Sequence, residues 1–309
     1  MLARGVLGYD AAATADAVVS VELGERFALV ARDRTSGRES MRVDLGGPER
    51  DVLDLAVGGG EAWVTGTDGT ARAFGLPDGA VRARYPLGHL GTSIALSADH
   101  VAVGTDAGVL CLRRRTDGAL LQCAALFDAR VSGLSFDAAG DRLAATGWDG
   151  RVMLLDVPSL AVRAEVDVGG SANGVSLSAD GAIIAVAASA RAPVRTPAIA
   201  ARERRHARGD GNPRVIVWQP GVAPRTCRGH HDLVTSVAWV GPGSVISGSW
   251  DRTVRLWRSG DCGLIATLGG FDGPIAHVAA GGPGRALVAA WPSNLDSRST
   301  VALRLLYPI

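Results

Sequence analysis

Short apolar segments rich in Val, Leu, Ala and Thr recur along the whole chain, each bounded by Gly, Asp or Pro, which is the pattern of β-strands separated by tight turns. Helical periodicity is nowhere sustained. The central apolar residue of the first strand in each unit defines a slot occupied by Leu55, Ile94, Leu134, Val175, Val237 and Val278, with gaps of 39, 40, 41, 62 and 41 residues. The long gap reads as an insertion within one repeat. The second half of each unit keeps its own spacing. Asp68, Asp106, Asp149 and Asp251 each follow an apolar run and open a turn, where Asp accepts backbone hydrogen bonds. Six residues after each stands a large apolar residue, Phe74, Leu112, Leu155 or Trp257, and Trp218 continues the series.

A period near 40 residues with about four short strands per unit predicts an all-β fold, a β-propeller whose blades are four-stranded antiparallel sheets. The units run 16–48, 51–90, 92–130, 131–170, 171–230, 233–273 and 275–309, which makes seven blades. The last has room for three strands, ending in Val301–Tyr307, and residues 2–12 precede the first complete unit and are placed to supply the fourth. The expectation is one domain over 1–309, with an insertion at 189–213 in the fifth blade.

Segment 229–257 carries Gly229-His230, the run Val234 to Trp239, then Ile246-Ser247-Gly248-Ser249-Trp250-Asp251 and Val254-Arg255-Leu256-Trp257. With these punctuating residues the chain resembles the WD-repeat family. Segment 131–156, ending Leu154-Leu155-Asp156, is a second and weaker copy, and Gly88-His89 reads as a trace of the opening motif. The resemblance implies a ring closed by the N-terminal strand. It also implies that His230, Ser247, Asp251 and Trp257 form a buried structural tetrad. Function under this resemblance is that of a protein-interaction scaffold.

Composition narrows the function classes. Thirty-two basic against 31 acidic side chains give a net charge of +1, which speaks against a surface devoted to nucleic acid or to an anionic membrane. Every basic residue other than histidine is arginine, so P-loop and Schiff-base lysines are absent. Cys111, Cys123, Cys227 and Cys262 have spacings that suggest neither a zinc ribbon nor a disulfide framework, so reduced thiols and a cytoplasmic location are expected. No signal-like N-terminus and no apolar run of membrane-spanning length is evident.

Ser247, His230 and Asp251 are the residue types of a hydrolase triad, but their offsets suit the structural tetrad. His230-His231-Asp232 lacks further ligands for a metal, Gly58-Gly59-Gly60 lacks the helix start and lysine of a phosphate cradle, and Arg208-Gly209-Asp210 is coincidental. No cofactor or metal site is expected. In an up-and-down blade the links between second and third strands share one face of the ring with the links between blades. Trp148, Trp250 and Trp291 end equivalent strands at that face and are candidate partner anchors. Arg130 and Leu233 sit at blade entrances on the same face. The insertion adds Arg202, Arg204 and Arg205 among other arginines, suited to carboxylates or phosphates of a partner. The favoured reading is a non-enzymatic scaffold for a peptide or acidic protein segment. The alternative is a propeller enzyme with a metal or cofactor in its central channel, for which the innermost strands offer Asp54 and His277.

Overall fold

The computed structural model describes residues 3–23, 26–47, 52–189, 212–280, 286–290 and 301–306, and every element among them is a strand. Blade 1 draws on β1 (Ala3–Ala13), β2 (Ala17–Leu23), β3 (Phe27–Asp33) and β4 (Glu39–Gly46). Blade 2 is β5 (Val52–Gly58), β6 (Glu61–Gly66), β7 (Thr70–Gly75) and β8 (Val81–Pro86). Blade 3 is β9 (Gly91–Leu96), β10 (His100–Thr105), β11 (Val109–Arg114) and β12 (Leu120–Ala125). Blade 4 is β13 (Val131–Phe136), β14 (Arg142–Gly147), β15 (Arg151–Asp156) and β16 (Ala161–Asp167). Blade 5 is β17 (Ser171–Leu177), β18 (Ile184–Ser189), β19 (Arg214–Trp218) and β20 (Arg225–Arg228). Blade 6 is β21 (Val234–Gly241), β22 (Ser244–Ser249), β23 (Val254–Arg258) and β24 (Leu264–Leu268). Blade 7 holds β25 (Ile275–Ala280), β26 (Ala286–Ala290) and β27 (Val301–Leu306). These antiparallel sheets are the blades of a seven-bladed β-propeller.

Blades 7 and 1 are hydrogen-bonded into one seven-stranded sheet through β1. Ala3 and Val6 pair with Leu303 and Val301 of β27, while Leu7 to Ala13 pair with β2. Unit 16–48 is therefore not complete in itself: it supplies three strands, and its innermost strand is the second half of β1. An 11-residue strand, roughly twice the usual length of five or six, is long enough to serve two blades.

Position within a blade sets composition. Second strands lie between the neighbouring blades and are buried on both faces, as in β14 with Leu143, Ala144, Ala145 and Thr146, or β18 with Ala185 to Ala188. Small residues allow close approach there, and the larger ones contribute roughly 1.5–3 kcal/mol each by leaving water. Outermost strands alternate with solvent, and β8, β12, β16 and β24 expose Val81, Leu120, Val162, Leu264 and Ile265.

The innermost strands share a defect. In every blade the register with the second strand slips near the start of the strand pairing, leaving one residue over: Tyr9, Leu53, Thr92, Ser132, Asn173, Thr235 and Ala276; blade 6 slips a second time, at Val240. Where that residue is Thr92, Ser132, Asn173 or Thr235, its side chain reaches the next blade. Thr92 Oγ1 donates to the Val131 carbonyl at 2.6 Å and Ser132 Oγ to Ala172 at 2.6 Å. Asn173 Nδ2 donates to Val234 at 3.0 Å and Thr235 Oγ1 to Ile275 at 3.0 Å. Each acceptor is the residue just before the bulge of the following blade. A second row links the same strands, with the Ile94 N–H donating to Asp54 Oδ2 at 2.7 Å and the Val278 N–H to Ser236 Oγ at 2.8 Å.

The expectation of reduced thiols is overturned. Cys111 and Cys123 are disulfide-bonded, as are Cys227 and Cys262, leaving no free cysteine. Residues 111 and 123 stand directly opposite each other on β11 and β12. Cys227 on β20 meets Cys262 in the β23–β24 turn, so this bond joins blade 5 to blade 6. Spacing along the chain does not reveal either pairing, because both arise from strand register and blade packing.

Candidate functional site

Blade 6 contains a continuous chain of buried hydrogen bonds. His230 Nδ1 lies 2.8 Å from Asp251 Oδ2, His230 Nε2 lies 2.7 Å from Ser247 Oγ, and Trp257 Nε1 donates to Ser247 Oγ at 2.8 Å. The carboxylate can only accept, so Nδ1 carries the imidazole proton and Nε2 accepts the serine hydroxyl. Burial pushes the His230 imidazole below its ordinary range against the pull of Asp251. Burial opposes ionisation of Asp251, but bonds from His230, Thr253 and the His231 N–H prevail and hold it well below the usual carboxylate range. Ser–His–Asp connectivity is thus present, yet Ser247 is fully buried and its oxygen already receives the Trp257 N–H. No substrate carbonyl can reach it.

Blade 4 fills the same places with apolar groups. Phe127, Ala145 and Leu155 occupy the positions of His230, Ser247 and Trp257 and pack in one cluster. Asp149 keeps its turn role: its Oδ2 accepts the Asp128 N–H at 2.9 Å, as Asp251 Oδ2 accepts the His231 N–H at 3.0 Å. Phe127 escaped the sequence reading, although it lies four residues before β13 just as His230 lies four before β21.

Blade 3 departs from the aligned series by one residue. Asp106 occupies the position of Trp148 and Trp250, and its N–H donates to the Leu90 carbonyl at 3.0 Å as theirs do to Arg130 and Leu233. Arg113, not Leu112, then faces Val101 in the Trp257 position, with its guanidinium 4.4 Å from the Tyr85 ring centroid. The link preceding this blade places Leu87, not His89, in the His230 position, so the Gly88-His89 pair is no trace of the opening motif. The shorter turn at Thr105–Gly108 accounts for the shift.

On the face of the second-to-third strand links, Trp148 and Trp250 sit in equivalent turns, both half-buried. Their N–H groups donate to Arg130 at 3.1 Å and Leu233 at 2.9 Å. The structure thus sets Arg130 beside Trp148 and Leu233 beside Trp250, residues that the sequence singled out separately. Arg130 lies with its guanidinium 4.3 Å from the Trp148 ring centroid. Its Nε is buried without a hydrogen-bond partner, and its side chain forms no ion pair among the described residues. Burial pulls its pKa down to about 10 against the more distant carboxylates of Asp54 and Asp106. Trp291, Arg202, Arg204 and Arg205 lie outside the described residues, as does most of the 189–213 insertion.

Toward the innermost strands, Asp54 accepts the Leu55 and Ile94 N–H groups at 2.9 and 2.7 Å. His277 is pushed below the usual imidazole range by desolvation, with Asp54 pulling the other way. Among the described residues no three His, Cys, Asp or Glu side chains converge as metal ligands would. No helix among them is long and apolar enough to cross a membrane.

The family described as WD domain, G-beta repeat matches residues 121–156 and 221–258, the segments that build much of blade 4 and blade 6. Protein Notchless of Drosophila melanogaster is 38% identical over 78 residues, which is 25% of this chain and 16% of that protein. The matched stretch is a small part of that relative. Two matched repeats, the tetrad bonds in one of them and the seven four-stranded blades agree: these two segments are WD repeats, and the chain is similar to the WD-repeat family.

Proposed function

We propose that the protein is a non-enzymatic interaction scaffold that binds a peptide or acidic segment of another protein on the face bearing Trp148 and Trp250. The observation that carries this reading is the Arg130–Trp148 stack. A guanidinium laid on an indole, partly stripped of water and without a carboxylate partner, is held ready for an incoming anion. Trp250 beside Leu233 offers an aromatic and apolar counterpart two blades away. Arg202, Arg204 and Arg205 add positive charge by sequence to the blade between them.

The test is partner capture from the native cell with the wild-type chain and with Trp148→Ala, Trp250→Ala and Trp291→Ala combined. Loss of captured protein with unchanged circular dichroism is the expected result. Recovery equal to wild type removes the reading. An Arg130→Gln chain separates the charge from the ring, and should weaken capture by roughly tenfold, as loss of a well-placed anchor does.

A further inference from the structure

We propose that Arg214 and Arg228 of blade 5 form a second anion-binding subsite, which takes a carboxylate or phosphate group of the same acidic protein segment; this rests on the reading above. Arg214 opens β19 and Arg228 closes β20, and the two stand directly opposite each other in the ladder. Like charges placed opposite on antiparallel strands repel. Blade 4 fills the equivalent pair with Arg151 and Asp167, which carry opposite charges. Blades 2 and 3 fill it with Thr70 and Pro86, and with Val109 and Ala125. Blade 5 is thus the one of these four that sets two cations together.

Among the described residues no carboxylate pairs with either of them. Arg214 is over nine-tenths buried, and its guanidinium donates to backbone carbonyls alone: Val168, Gly169 at 3.2 Å and Asn212 at 3.0 Å. Desolvation and the neighbouring Arg228 both weaken its hold on the proton. Arg228 is exposed and donates to the Asn212 side-chain oxygen. Neither forms an ion pair among the described residues. Asp167, on the link that Arg214 grips, uses Oδ1 to accept the Gly169 N–H at 2.7 Å. Neutral carbonyls orient Arg214 without cancelling its charge, so an anion bridging the two guanidinium groups is what the pair lacks.

The pair is continuous with the anchor. The Gly150 carbonyl, two residues after Trp148, accepts the Val168 N–H at 2.9 Å. Arg214 binds the carbonyl of that same Val168 from the other side. The Trp148 turn and Arg214 therefore hold opposite sides of one short interblade link, and an extended segment with alternating anions can touch both.

Fluorescence anisotropy on the full chain tests this with three short labelled peptides: alternating Glu and Gly, alternating phosphoserine and Gly, and alternating Gln and Gly. Both charged peptides should bind and the neutral one should not. Arg228→Gln, an exposed change that spares the core, should weaken the charged peptides about tenfold, equivalent to about 1.4 kcal/mol. Tighter binding of the phosphoserine peptide assigns the anion as phosphate, and tighter binding of the Glu peptide assigns it as carboxylate. Undiminished binding by Arg228→Gln together with loss in Trp148→Ala overturns the subsite and leaves the anchor standing. Equal binding of the neutral peptide also overturns it.

Discussion

Ala145 of blade 4 stands where blade 6 has Ser247, each pairing with the slot residue of its innermost strand, Leu134 or Val237. One fold therefore accepts two solutions at this place, a hydrogen-bonded chain and an apolar cluster. Blade 6 itself should not tolerate half of its hydrogen-bonded chain. Ser247→Ala alone leaves His230 Nε2 and the Trp257 N–H buried without partners and should destabilise by about 2–3 kcal/mol. Adding His230→Phe, which copies Phe127, should recover part of that loss. Urea unfolding of the wild type, the two single variants and the double variant measures it, and strict additivity of the two substitutions would contradict the account.

Acid should loosen blade 6. The His230 imidazole binds protons less readily when folded than when unfolded, so its contribution to stability is full above the ordinary histidine range. It is lost as pH falls through about 6.5 and below. Asp251, also depressed, adds a further loss in the carboxylate range. The thermal midpoint should therefore fall between about pH 8 and about pH 5, and fall less steeply in the His230→Phe, Ser247→Ala chain, where His277 still titrates. Parallel slopes would show that His230 is not responsible.

The two disulfides should differ in worth. Chain entropy assigns about 3 kcal/mol to the bond closing 12 residues and about 4 kcal/mol to the one closing 35. Reduction should lower the thermal midpoint, and Cys227→Ser with Cys262→Ser should account for more of the drop than Cys111→Ser with Cys123→Ser. Peptide mapping without reductant checks both pairings directly. Free thiols in the oxidised protein would refute them.

Pairing of β1 with both β2 and β27 leads us to expect that deletion of residues 3–13 bares two strand edges. The shortened chain should self-associate on size exclusion at concentrations where the full chain does not. A monomeric, equally stable truncation would mean that the N-terminal strand does not seal the ring.

The blade period was legible because six of the units keep an apolar residue at the same slot of the innermost strand, whatever else they change. The tetrad was legible because its four polar residues survive together in blade 6. Other features depend on register, which a single residue can shift. Asp106 looks like Asp149 along the chain, but a shorter turn moves it to the place of Trp148. Bulge residues range from Thr92 to Leu53 and Ala276, so no residue type marks them. Arg214 and Arg228 are 14 positions apart, and only the ladder shows that they face each other.

From Thr92 to Thr235, four side chains pass a bond forward, each onto the carbonyl that precedes the next bulge. Such a relay couples neighbours in series and sets the angle at which each blade presents its turn. Trp148 and Trp250 are then displayed at a spacing settled before any encounter. A ligand meeting this surface has little ordering entropy to overcome on the protein's side, and its own flexibility becomes the main brake on affinity.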